Sequence, residues 1–131
     1  MRHAASLVLI GAAWFAAAIA WTPAVGAQTI RSPELKLQYH RAERAWRTGS
    51  SLHEAKARLD RVIEELPDDG EAFLLRSRVL MDLGRPDSAL VDAREAVRLM
   101  PDRGEAWLAR AESARQAGEA EESIHALARA A

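Results

Sequence analysis

The sequence predicts an all-α fold, an α-solenoid of three helix-turn-helix repeats preceded by an N-terminal hydrophobic signal segment. A pattern of proline, glycine and aromatic residues recurs every 34 residues, and such a period is typical of stacked helical hairpins. Apolar residues within each recurrence fall at helical spacing. No run rich in Val, Ile and Thr is bounded by turn residues, so the sequence gives no strand signal.

Composition narrows the classes of function. The chain has 131 residues, with 18 Lys and Arg, 19 Asp and Glu, and no Cys, so it forms one small domain at most. Residues 1–27 carry one charged side chain, Arg2, which leaves 17 basic and 19 acidic residues and a net charge of -2 in the rest. That balance argues against charge-driven binding of nucleic acid. The lack of cysteine excludes a disulfide framework, a thiolate zinc site and a cysteine nucleophile.

Residues 1–27 are predicted to be a signal peptide. The 18 residues from Ala4 to Trp21 carry no charge, and Ser6 is the one polar side chain among them. Residues 25–27 are small or slender, as signal peptidase requires, so cleavage before Gln28 is expected. The alternative is an uncleaved membrane anchor, because 18 helical residues span about 27 Å. In either case the rest of the chain is expected outside the cytoplasm, as a periplasmic or extracellular protein or as the outward-facing part of an anchored one.

A short lead-in, residues 28–35, precedes the predicted repeat array at 36–131, whose units are 36–69, 70–103 and 104–131. The offset of 34 is clearest in five pairs: Pro67 with Pro101, Phe73 with Trp107, Arg76 with Arg110, Gly84 with Gly118, and Ala96 with Ala130. In the first unit the same register aligns Tyr39 with Phe73, Trp46 with Leu80, Ala55 with Ala89, and Leu59 with Ala93.

Each unit is predicted to be two helices joined by a glycine turn. Prolines 67 and 101 block continuation of the second helices because proline lacks an amide hydrogen. The first helices are expected to end at Gly49, Gly84 and Gly118 in the left-handed conformation. Capping boxes are predicted at three helix starts: Ser51 with Glu54, Asp68 with Glu71, and Asp102 with Glu105.

Small side chains in the second helix are expected to let it approach the first closely. Ala89, Ala93 and Ala96 have the spacing for this, and the ring of Phe73 or Trp107 fills the space that remains. A single hairpin built in this way keeps one apolar side uncovered. Only the next hairpin covers that side, which is why arrays of this kind need about three units.

These residues resemble the tetratricopeptide repeat family over roughly residues 36–131. The residues that match the family pattern are the aromatics Tyr39, Phe73 and Trp107, the bulky Trp46 and Leu80, the small Ala55, Ala89 and Ala96, and the closing Pro67 and Pro101. The sequence departs from the pattern at Ser77 and Ala111 in place of Gly, at Arg76 and Arg110 in place of Leu, and at Ser123 in place of Ala. The resemblance implies a non-enzymatic scaffold whose first helices line a concave groove for a protein or peptide partner.

No residue constellation indicates an enzyme, a metal site or a cofactor site. His40, His53 and His125 lie on different predicted helices, and Ala57 takes the place of the second histidine in an H-E-x-x-H motif after His53-Glu54. The glycines are isolated, so no phosphate-binding loop is present. We therefore expect no catalytic residue, no cofactor, no metal and no small-molecule substrate.

The resemblance assigns candidate peptide contacts to the first helix of each unit. They are His40, Arg41, Arg44 and Arg47 in the first unit, Leu74, Leu75, Arg78 and Met81 in the second, and Leu108, Glu112 and Arg115 in the third. Stacking at the 34-residue interval predicts two ladders: Arg44, Arg78 and Glu112, and Arg47, Met81 and Arg115. Such a groove suits a mixed apolar and acidic peptide, because guanidinium groups pair with carboxylates. The alternative is a solvated face with local ion pairs such as Glu43 with Arg47.

A second candidate surface is the C-terminal apolar edge, formed by Ile124, Leu127 and Ala131 on one face of the last helix. No polar-faced helix follows it in the sequence, so we expect an exposed patch, a partner, self-association, or a frayed end. Two hypotheses of function follow. The first is a groove-binding module of the cell envelope. The second is a membrane-tethered structural subunit that retains residues 4–21 and oligomerises through this edge.

Overall fold

The computed structural model describes residues 29–131, which form six helices and contain no strand. The helices are α1 (Pro33–Thr48), α2 (Leu52–Glu65), α3 (Gly70–Asp82), α4 (Pro86–Leu99), α5 (Gly104–Ala117) and α6 (Ala120–Ala130). They pack as three successive hairpins, which confirms the predicted all-α solenoid. Helix α1 begins within the predicted lead-in, and the predicted signal peptide lies outside the described residues.

Glycine ends the first helix of every hairpin, as the sequence predicts. The φ angles of Gly49, Gly84 and Gly118 are 65°, 72° and 84°, in a region that a residue with a Cβ atom rarely adopts. The amide of each glycine donates to a carbonyl in the last turn of the preceding helix, for example from Gly49 to Trp46 at 3.1 Å. These turns return the chain so that each second helix packs on its first.

The capping box predicted at Asp68 is wrong by one residue. Asp69 caps α3, and its carboxylate accepts a hydrogen bond from the amide of Ala72 at 3.1 Å. Arg31 in the lead-in donates to both oxygens of Asp69 at 2.6 and 2.7 Å. Because Asp69 is buried and held in this way, α3 begins one residue later than the box requires.

The other two predicted capping boxes are also absent. Ser51 precedes α2 without accepting a hydrogen bond from it, and α5 follows Arg103, whose side chain has no acceptor atom. The glutamates of the predicted boxes pair with arginines instead: Glu54 with Arg58, Glu71 with Arg103, and Glu105 with Arg78. Of the two N-cap serines among the described residues, only Ser32 caps its helix: its hydroxyl accepts a hydrogen bond from the amide of Leu35 at the start of α1.

Two apolar clusters hold the hairpins together. The first joins α1 and α2 to α3 and contains the buried residues Leu35, Ala42, Ala55, Leu59, Val62, Ala72, Leu75 and Val79. The second joins α3 and α4 to α5 and α6 and contains Leu74, Ala96, Val97, Ala106, Trp107, Ala111 and Ala126. Alanine and valine supply most of both clusters, so the helix backbones approach closely.

The first helices of the hairpins lie on the concave side of the array. Helix α1 packs against α3 and α3 against α5, whereas within residues 29–131 the backbones of α2 and α4, and those of α4 and α6, do not approach closely. The second helices therefore diverge, and α1, α3 and α5 line the tighter side. Among the helices described, none combines the length and apolar character needed to cross a membrane.

Candidate protein-binding surface

Four side chains form a continuous strip across the concave side, here called the cross-unit strip: Trp46, Arg78, Asp82 and Glu105. Trp46 Nε1 donates to Asp82 Oδ2 at 2.9 Å, and the Arg78 guanidinium lies 5.4 Å from the centroid of the Trp46 ring. Arg78 Nη2 also donates to Glu105 Oε2 at 2.9 Å, and the guanidinium of Arg78 lowers the pKa of Glu105. Since these contacts link all three hairpins, they fix the spacing of the first helices.

Two of the candidate arginines keep their charge available to a partner. Arg41 and Arg44 are exposed, and neither forms an ion pair with another residue of the described chain. Both line an open pocket together with Glu54 and Arg58 of α2 and with Ser51, which directly precedes α2. All the residues that line this pocket belong to the first hairpin, which forms one end of the described array. Arg41 and Arg44 therefore both lie at that end.

The remaining charged candidates pair locally, as the alternative interpretation of the sequence expects. Arg47 donates to Glu43 at 2.8 Å, which confirms that predicted pair, and Arg115 donates to Glu112 at 2.6 Å. The hydrogen bond from Arg115 lowers the pKa of Glu112. His40 Nδ1 lies 3.5 Å from Glu43 Oε2 on the exposed surface. No hydrogen bond or ion pair joins the members of either predicted ladder within residues 29–131.

The assignment of Leu74 and Leu75 to the groove is wrong. Leu74 is 2% exposed and belongs to the second apolar cluster, while Leu75 is buried in the first. Helix α3 has a hairpin on each side of it, so adjacent leucines at these positions pack toward opposite neighbours. They stabilise the array and are not available to a peptide.

Other positions of the first helices expose apolar side chains. Leu108 is 54% exposed, Met81 is half-buried, and Leu37 on α1 is exposed. Sequence reasoning did not select Leu37, although its place one turn before Arg41 on an otherwise polar helix face is an available signal. Trp46 was assigned to packing alone, yet its indole nitrogen lies in the cross-unit strip.

The C-terminal apolar edge is exposed, as predicted. Ile124 and Leu127 are 69% and 50% exposed. Helix α6 continues to Ala130, so Ile124 and Leu127 lie on the face of a helix. Ala131 is exposed beyond the end of the helix.

The arginines that replace the family's usual leucine bind carboxylates between hairpins. Arg76 donates to both oxygens of the buried Asp92 at 2.7 and 2.8 Å and to Asp60 of α2 at 2.9 Å. The hydrogen bonds that Arg76 donates, first those to Asp92, raise the pKa of Arg76. At the next interface Glu122 accepts from Arg94 at 2.5 Å and from Arg110 at 2.7 Å. Arg94 first, and Arg110 with it, lowers the pKa of Glu122 to about 2.

The described side chains offer an open surface for contact with another molecule. No three His, Asp or Glu residues between positions 29 and 131 come together as a metal site. The concave side presents guanidinium, carboxylate and apolar groups in the open, where water is not excluded. Such an arrangement is suited to recognising an extended or helical segment of another polypeptide.

Comparisons with known proteins agree with this architecture. The family model described as tetratricopeptide repeat matches residues 39–99 and 74–131. No curated protein sequence matches the chain. Among solved structures, the first TPR of Spaghetti (RPAP3), bound to the HSP90 peptide SRMEEVD, is similar with a TM-score of 0.71 and 17% identity over 77% of this chain and 79% of that one.

Two structures of MamA are similar as well. The structure described as MamA MSR-1 C2 has a TM-score of 0.66 and 25% identity over 73% of this chain and 55% of that one. A mutant of MamA has a TM-score of 0.68 and 24% identity over 76% of this chain and 72% of that one. The family match covers most of the array, and the solved structures share its fold. The chain therefore belongs to the tetratricopeptide repeat family.

Proposed function

We propose that the chain is a non-enzymatic protein-binding module of the cell envelope, and that its concave side holds a peptide with acidic and apolar residues. The observation that carries this proposal is the exposed Arg44 of α1, which has no ion-pair partner among the described residues, with Leu37 and Leu108 exposed on the first helices of the two end hairpins. Free guanidinium groups favour carboxylates, and the exposed leucines favour apolar side chains. The similar structure of the first TPR of Spaghetti holds an acidic peptide, which supports the class of ligand by analogy of fold.

The charge expected of the partner follows from which arginines of the first helices have no carboxylate partner among the described residues. Arg47, Arg78 and Arg115 already have carboxylate partners within the chain, so they add little net attraction. Arg41 and Arg44 have none among the described residues. We therefore expect an acidic segment to meet the first hairpin and an apolar segment to extend toward Leu108.

The test uses defined peptides of matched length, one set acidic and apolar and the other with each acidic residue replaced by lysine. Fluorescence anisotropy should show binding of the acidic set and not of the lysine set. Arg44→Glu should abolish binding without changing the circular dichroism spectrum. Arg98→Glu on α4, where an exposed arginine pairs with Glu95, is the matched control and should bind as the wild type does. Equal binding by Arg44→Glu contradicts the proposal.

The proposal also includes export of the chain across the cytoplasmic membrane. This part rests on the sequence of residues that lie outside the described part of the structure. The uncharged run at 4–21 and the small residues at 25–27 support a cleaved signal peptide. Intact mass of the chain from the envelope fraction should correspond to a first residue of Gln28. A mass that includes residue 1, in a membrane fraction, instead favours the anchored structural subunit.

A further inference from the structure

The second helices α2 and α4 diverge, and an open pocket of about 290 Å³ lies between them on the outer side of the array. It is called here the outer pocket. The more shielded side chains that line it are those of Arg76, Leu80 and Asp92. The side chains around its mouth are those of Lys56, Arg85, Ser88 and Val91. Both hairpins that form the pocket lie within the described residues.

Two of the three cations of the outer pocket have carboxylate partners within the chain. Arg76 donates to both oxygens of Asp92 at 2.7 and 2.8 Å and to Asp60 at 2.9 Å. Lys56 donates to the other oxygen of Asp60 at 2.8 Å. The two carboxylates therefore balance the charges of Arg76 and Lys56.

Arg85 is the third cation of the outer pocket. It is exposed and forms no ion pair with another residue of 29–131. Residues 1–28 contain no Asp or Glu, so that part of the chain has no acidic side chain to offer it. The pocket therefore carries one positive charge in excess. A guanidinium with free N–H donors favours a carboxylate.

The equivalent groove between α4 and α6 shows which group occupies this place in the next pair of hairpins. Moving forward by 34 residues takes Arg76 to Arg110 and Ser88 to Glu122. Glu122 accepts from Arg110 at 2.7 Å and from Arg94 at 2.5 Å, so a glutamate side chain lies between cations of two hairpins. In the outer pocket the same position carries the shorter, exposed Ser88, which leaves the place of that glutamate open.

The outer pocket also offers apolar contacts for the stem of such a side chain. Leu80 is 3% exposed in the pocket, and Val91 is 57% exposed at its mouth. Methylene groups of a ligand are stabilised by contact with these side chains. The volume of about 290 Å³ is at the lower limit for small-molecule sites, roughly 300 Å³. It therefore suits a single side chain better than a cofactor.

We propose that the outer pocket binds a glutamate side chain of a partner polypeptide, in the place that Glu122 takes in the next groove. The guanidinium of Arg85 pairs with the carboxylate, the hydroxyl of Ser88 donates to it, and Val91 contacts the stem. This inference goes beyond the proposed peptide site on the concave side. The two sites share no residue, so either can fail while the other stands.

The first test places the carboxylate in the pocket as part of the chain. Ser88→Glu should raise the Tm by about 3 °C, because the new carboxylate pairs with Arg85. A glutamate in the first turn of α4 also interacts with the helix dipole, so the same change is made in an Arg85→Gln background, where only the dipole contribution remains. Ser88→Gln is the uncharged control and should give no gain. An equal gain with and without Arg85 overturns the proposal.

The second test uses N-acetylglutamate amide as the probe, titrated into the isotope-labelled chain and followed by nuclear magnetic resonance. The amide signals of residues 85–92 should shift and saturate, and N-acetylglutamine amide should leave them unchanged. Arg85→Gln should weaken binding by about tenfold, through loss of a charge-assisted hydrogen bond. Ser88→Glu should abolish binding, because the pocket is then filled. Arg98→Gln is the matched control, an exposed arginine of α4 outside the pocket, and should bind the probe as the wild type does.

Three outcomes of this titration would overturn the proposal. The first is an absence of shifts at residues 85–92, or equal shifts with the neutral probe. The second is binding that Arg85→Gln does not weaken. The third is tighter binding of butyrate or of inorganic phosphate than of N-acetylglutamate amide, which would assign the pocket to a free organic acid or to an oxyanion in place of a partner's glutamate.

Discussion

Replacement of Trp107 by alanine tests whether the third hairpin stacks as the register requires. The Trp107 side chain is 8% exposed and packs with Leu74, Val97 and Ala126. Its Nε1 donates to the carbonyl of Pro101 at 2.8 Å. Burial of roughly 200 Å² at about 25 cal/mol per Å² corresponds to about 5 kcal/mol. Partial collapse around the cavity brings the expected loss of unfolding free energy to about 3 to 5 kcal/mol.

Trp107→Phe is the matched control for this change. Phenylalanine already occupies the equivalent position 73, where Arg76 lies 5.6 Å from the ring centroid, and Arg110 lies 5.5 Å from that of Trp107. The substitution keeps most of the buried area and removes the hydrogen bond to a carbonyl at an exposed residue. The expected loss is about 1 kcal/mol.

Urea unfolding followed by far-ultraviolet circular dichroism measures both variants without relying on tryptophan fluorescence. Within the described residues the third hairpin packs only on the second. Destabilising the third hairpin is therefore expected to unfold α5 and α6 before the rest, which lowers the apparent m-value of Trp107→Ala. Hydrogen exchange should then show lost protection confined to 104–130. A Trp107→Ala variant within about 1 kcal/mol of the wild type, with an unchanged m-value, would refute the stacking register.

Three further predictions follow from individual contacts. The pKa of Glu122 is lowered to about 2 from 4.5, first by Arg94, so the stability it contributes is complete above about pH 4.5 and is lost as the pH falls toward 2. Glu122→Gln should flatten the acid limb of a plot of Tm against pH, and an unaltered slope would contradict the assignment. Ala96→Leu should destabilise by about 1 to 3 kcal/mol in thermal denaturation, because Ala96 is fully buried; an unchanged melting curve would count against the packing. Asp69→Ala should lower the free energy of unfolding by about 3 kcal/mol, because it removes both the α3 cap and the partner of Arg31. A loss of only about 1 kcal/mol, that of a cap alone, would show that the pair with Arg31 adds no stability.

The period of 34 residues predicts the fold because each residue type that recurs in it has a local structural role. Gly84 takes positive φ and Ala96 permits close approach wherever they stand in an array. Contacts between distant parts of the chain are not predictable in this way. Arg31 and Asp69 are 38 residues apart, and their contact depends on the path of the lead-in, so the predicted cap at Asp68 failed.

Burial in an array depends on position along it as well as on the register. Leu74 and Leu108 are equivalent by sequence, yet the first is buried by the next hairpin and the second is exposed. The pattern within one unit therefore could not separate core leucines from surface leucines. The neighbour on each side decides which they are, and this explains both the incorrect groove assignment of Leu74 and the correct prediction of an exposed edge at Leu127.

Because the side chains at the hairpin interfaces are small, the helices approach closely but each interface buries little apolar area. Ion pairs between hairpins therefore contribute more to the angle between neighbouring units. On the outer side Arg76 joins Asp60 of α2 to Asp92 of α4, and Glu122 joins α4 to α5. On the concave side the cross-unit strip spans the same interfaces. Bridges on both sides oppose bending in either direction, which keeps the concave side at one curvature for a partner.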